Sequence, residues 1–107
     1  MQFPDSSNKS DQPLIKTILE PLLDDFQYWF SQSEELLTSE KATCMVAQER
    51  EGLLNRISTA QKEVATARTL LLATAGQAGV EASMVTHWHQ LVGQCWQAAQ
   101  YIRRENA

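Results

Sequence analysis

Few residues in this chain have the type and spacing for chemistry. The first candidate is the triplet His87-Trp88-His89. On a helix, i and i+2 lie about 200° apart, so the two imidazoles cannot share one metal ion. The positions three residues before each histidine hold Met84 and Thr86. The Glu-x-x-His pairs that build carboxylate-bridged metal sites in bundles are therefore missing. The expectation is no metal site, with two histidines on the shoulders of a buried Trp88.

The two cysteines come next. Cys95 falls on an apolar stripe and reads as a small buried hydrophobe. Antiparallel pairing places Cys95 near Gln61 or Lys62, which leaves Cys44 roughly 25 Å away at 1.5 Å per residue. No disulfide forms over that distance. His87 is two turns from Cys95, too far to activate it as a nucleophile. Glu20 and Asp24 stand at i, i+4 and read as a solvated acidic face. The glycines (Gly52, Gly76, Gly79, Gly93) are scattered and form no phosphate loop. No catalytic residue and no cofactor are expected, and the chain is not read as an enzyme.

Charge narrows the partners. Net charge is −4. Residues 1–40 hold eight acids against Lys9 and Lys16, whereas residues 41–107 hold five acids against seven bases. An acidic chain without a basic stripe is a poor match for nucleic acid or an anionic membrane surface. The longest aliphatic run, around Leu70–Ala73, is far too short to span a bilayer. The opening "MQFPDSSNKSDQP" lacks the apolar core of a signal peptide. Two cysteines are too few for a disulfide scaffold, so a cytoplasmic setting is expected.

These residues must be carried by helices. Apolar positions run Ile15, Leu19, Leu22, Phe26, Trp29, then Ser33 and Leu36, in alternating steps of four and three. Ile18, Leu23, Phe30 and Leu37 flank that seam. Pro13 suits the first turn, and Pro21 predicts a kink or a fresh start, with Asp24 and Asp25 in the turn after it. A second seam runs Val46, Arg50, Leu53, Ile57, Ala60, Val64, Ala67, Leu71, with Arg56, Lys62, Glu63 and Arg68 facing water. Gly52 allows a start or bend, and Gly76 and Gly79 mark the end. A third seam runs Met84, Trp88, Leu91, Cys95, Ala98, Ile102, closed by Arg103 and Arg104. The fold expected is all-α: an antiparallel up-down-up three-helix bundle, with a flexible, disordered polar lead over residues 1–12 and one domain over 13–107.

The stretch "LLDDFQYWF", Leu22 to Phe30, holds four of the chain's eight aromatics. At about 100° per residue no one face holds them all. Phe26, Trp29 and Phe30 are assigned to the core, with Phe26 level with Ile57–Ala60 and Cys95–Ala98, so that bulky residues meet small ones. Tyr28 points outward, among Asp24, Glu35 and, beyond Pro21, Glu20.

"LLDDFQYWFSQSEELL", "AQKEVATARTLLLATAGQAGV" and "WHQLVGQCWQAA" together resemble a small family of uncharacterised cyanobacterial domains, over roughly residues 14–103. Asp-Phe-Gln-Tyr-Trp-Phe is the most specific string. The resemblance implies a cyanobacterial source, a cytoplasmic setting and a role in cyanobacterial physiology, with a link to photosynthesis left open. It supplies no mechanism.

The function expected is a non-catalytic protein-interaction module, an adaptor, assembly factor or regulator. Glu20, Asp24, Tyr28 and Glu35 would be its interaction face for a basic protein partner. The alternative is a small-ligand or pigment-binding bundle using Trp29, Trp88, Trp96 and the histidines. A homodimer is also open, because Leu23, Leu37 and Leu54 flank the seams and would leave apolar surface uncovered.

Overall fold

A computed structural model describes residues 3–77 and 79–107, with side chains from Lys16 onward except at residue 78. Helix α1 is Phe3–Leu37, α2 is Ala47–Ala73 and α3 is Ala82–Glu105. A short 3-10 turn, Glu40–Cys44, joins α1 to α2. No strand occurs among the described residues. Contacts between helices set their directions. Asp24 on α1 pairs with Arg68 on α2, and Trp88 on α3 bonds Glu63 on α2, so α2 runs opposite to both. Phe26 meets Trp88, and Trp29 meets Trp96, so α1 and α3 run together. This is the up-down-up bundle that the spacing predicts.

The seams of α2 and α3 are as expected over most of their length; Val46, the first residue of the second seam, lies ahead of α2 and is 61% exposed. Leu53, Ile57, Ala60, Val64 and Leu71 are buried on α2, and Trp88, Leu91, Cys95 and Ile102 on α3, with Val92 beside them. On α1 the buried positions are Leu23, Phe26, Phe30 and Leu37, which with half-buried Ser33 keep the three-and-four rhythm. This row is turned about 60° from the expected one, through the residues taken as flanks. Leu19, Leu22 and Leu36 are only partly buried, and Trp29 is 41% exposed and outside the core. Leu23 and Leu37 are buried and Leu54 is half-buried, so they are not the uncovered apolar surface expected for a dimer.

The backbone of α1 is helical from Phe3, ahead of the start placed at Pro13. The lead expected over 1–12 lies wholly outside the described side chains. The helix also continues through Pro21 without a fresh start. Pro21 is exposed, so the helical bond it lacks leaves the packing untouched. Gly52 likewise lies inside α2.

The two ends are closed differently. At one end the buried Ala42 of the 3-10 turn packs beneath the bundle. Arg50 donates to the Ala42 carbonyl (3.3 Å), and Asn106 donates to the Lys41 carbonyl (3.0 Å), tying α2 and α3 to that turn. At the other end, α2 stops in paired backbone bonds, Gly76 N–H to Leu71 (2.8 Å) and Ala75 N–H to Leu72 (3.3 Å). These are the six-to-one and five-to-two bonds of a Schellman cap. Ala75 (φ 54°) and Gly76 (φ 87°) both take left-handed backbone to make it.

Candidate functional site

The core is built around aromatic rings. Phe26 lies 6.1 Å from Phe30 and meets Trp88 edge-on at 5.4 Å. Phe26 also meets His89, at 5.0 Å. This corrects the layer in which Phe26 faced Cys95–Ala98; the registers differ by roughly two turns. Both connections contribute to the difference, since Asp24 meets Arg68 across the first and Glu63 meets Trp88 across the second. Small residues do meet small ones a turn or two lower, where Ser33 of α1 hydrogen-bonds Cys95. Burial pushes the Cys95 thiol above its ordinary range, while the Ser33 bond and the charge of Arg56 act against that rise. Cys44 and Cys95 are both free thiols.

Trp88 is fully buried, and its indole N–H donates to the Glu63 carboxylate at 3.1 Å. Glu63 was expected to face water. A buried indole N–H requires an acceptor, and that requirement was legible in the sequence. Which residue answers it depended on the register of α2 against α3.

The four residues expected to form the interaction face lie along one side of α1, at steps of four, four and seven, and their side chains have different surroundings. Tyr28 is 56% exposed and packs edge-on against Trp29 at 5.2 Å. Asp24 is turned toward α2 by Arg68. Glu20 is half-buried and lies 3.9 Å from Lys16. Glu35 is exposed, two turns along the helix from Tyr28. These two pairs are the ion pairs among the described residues. Both involve partly exposed groups and contribute little to stability.

Spacing did not reveal a second feature, the seam between α1 and α3. There Trp29 and Trp96, 41% and 52% exposed, meet at 5.7 Å with rings nearly perpendicular. They flank a groove of about 340 Å³ that Asp25, Phe26, His89 and Gly93 also line. Tyr28 extends the row, giving three exposed aromatics in edge-to-face succession. The signal in the sequence was Trp96, one step off the third seam, which needed the parallel course of α1 to gain a neighbour. A wider hollow of about 520 Å³ lies between α2 and α3, bounded by Leu70, Met84 and Lys62. His87 and His89 are exposed. Among the described residues, no group of three or more His, Cys, Asp and Glu is placed to hold a metal ion, and no helix is long and apolar enough to cross a membrane.

No curated protein and no solved structure matches the chain. A family model does match, over residues 9–104, which takes in all three seams and both ends of the bundle. With nearly the whole chain covered, the protein belongs to the family described as "Protein of unknown function (DUF2605)".

Proposed function

We propose that this chain is a non-catalytic protein-interaction module, an adaptor, assembly factor or regulator in the cytoplasm of a cyanobacterium. The observation that carries this reading is the row of exposed aromatics Tyr28, Trp29 and Trp96 on a bundle whose core is complete without them. Exposed aromatics are enriched at protein interfaces, where large rigid rings supply contact area at low entropic cost. The acids of α1 add selection for a basic partner, since carboxylates at a rim speed encounter with positive charge. Asp25, Glu34 and Glu35 are exposed on α1. Asp24 contributes less than the sequence suggests, because Arg68 already neutralises part of its charge.

The test is capture of a partner from cyanobacterial lysate by the wild type and by Tyr28→Ala, followed by identification and titration of the purified pair. Capture should fall for Tyr28→Ala while helix content stays unchanged, and should weaken further as salt rises. Undiminished capture by a folded Tyr28→Ala protein excludes Tyr28 as an anchor. The groove between Trp29 and Trp96 favours a second reading, a small aromatic ligand or pigment. Its volume falls within the range of ligand sites. A bound chromophore or a mass-detectable ligand in protein purified from its native source decides for that reading.

A further inference from the structure

We infer that the α1/α3 seam is the docking surface for a second copy of this chain, joined about a twofold axis through Trp96. This goes beyond the partner reading above: it takes Trp29 and Trp96 into a contact between copies and leaves Tyr28 and the acids on the outer side of α1 for a different partner.

Two observations carry it. One is the apolar row itself. Trp29 and Trp96 stand exposed at the mouth of the groove, and Leu22 and Val92 line it. The other is the placement of charge along the row. Phe26 packs on His89, so Asp25 lies close to the level of His89. Asp25 lines the groove on the α1 side, a turn before Trp29. Arg103 follows Trp96 by seven residues on α3, on the same face, just as His89 precedes it by seven. An acid and a base thus stand on either side of Trp96, each roughly 10 Å away at 1.5 Å per residue. Among the described residues neither makes an ion pair within the chain.

A twofold axis perpendicular to the helices exchanges the two ends of such a row. It brings Asp25 of each copy to Arg103 of the other and sets the two Trp96 side chains together at the centre. A row with acids at both ends would repel its own copy. This one is self-complementary, although the chain as a whole carries a net charge of −4. The symmetry supplies two ion pairs and a central aromatic cluster, the pattern of an anchored core with a charged rim.

Sedimentation equilibrium on the full chain at micromolar concentration is the first measurement. The expected result is a species of twice the 12.1 kDa protomer mass. A 12 kDa species persisting to hundreds of micromolar overturns the inference. Charge exchange is the second measurement. Asp25→Arg or Arg103→Asp alone should weaken dimerisation at least tenfold, and the two together should restore most of it. A dimer indifferent to both single changes, or not restored by the pair, would mean a different interface and also overturns the inference. Both positions are exposed, and circular dichroism on each variant confirms that the bundle is intact. Trp96→Glu should give a folded monomer. A folded Trp96→Glu dimer counts against the axis.

Discussion

Glu63 is the acceptor that allows Trp88 to be fully buried. Removing it strands an indole N–H in the core, at a cost of about 1–3 kcal/mol. Glu63→Ala should lower stability by that amount in urea unfolding, while Glu63→Gln, which keeps an acceptor oxygen, should lose much less. Equal losses for the two variants would mean the bond contributes nothing. Cys95 is the other residue whose chemistry depends on burial. Its folded-state pKa is raised, so the stability linked to it is present below the ordinary thiol value of about 8.5 and is lost as pH rises through the folded-state value. Unfolding free energy should therefore fall as pH rises above about 8.5, and Cys95→Ala should remove that slope. Under native conditions Cys44 should be alkylated well before Cys95, since Cys44 is only partly buried.

The elements show which side of each helix does the packing. On α1, Leu22 and Leu23 are neighbours with different roles. Leu23 is fully buried among the core residues, while Leu22 lies at the edge and lines the α1/α3 groove. Leu23→Ala should cost about 2–5 kcal/mol, and Leu22→Ala clearly less. Thermal or denaturant midpoints that rank them the other way would return the seam to the Leu22–Trp29 face. The end of α2 offers a gain instead. Ala75 takes a left-handed conformation that disfavours any residue with a Cβ. Ala75→Gly should stabilise the chain by about 0.5–1 kcal/mol, the relief of strain outweighing the added freedom of the unfolded state. A lowered melting temperature would show that the cap tolerates alanine without strain.

At the scale of the whole molecule, three helices with short connections bury one core and leave one aromatic seam exposed. The core is modest for 107 residues, so stability is expected to respond visibly to any contact made on that seam. If two copies meet there, association adds to folding by mass action. The melting temperature should then rise with protein concentration, and Trp96→Glu should abolish the dependence. A melting temperature independent of concentration over a hundredfold range would leave the seam without a second copy.

The helices themselves were legible because helix formation and amphipathic period are local properties. Steps of three and four between apolar residues mark a buried stripe whatever it packs against. That is why the seams of α2 and α3, the all-α class and the outward placement of Tyr28 could be read from the chain alone. Tertiary structure decided which strip of α1 faces inward, since rotating a helix by about 60° leaves its period unchanged and alters only its neighbours. It also decided the register. Both connections bear on it, and Phe26 comes to lie on Trp88 and His89. The shift in register put Glu63 beneath Trp88, turned Asp24 toward Arg68 and brought Trp29 against Trp96. Each of these contacts joins residues more than twenty positions apart. Such pairs depend on where the helix axes come to rest, and that is set by packing and chain connection together, not by the order of residues along any one helix.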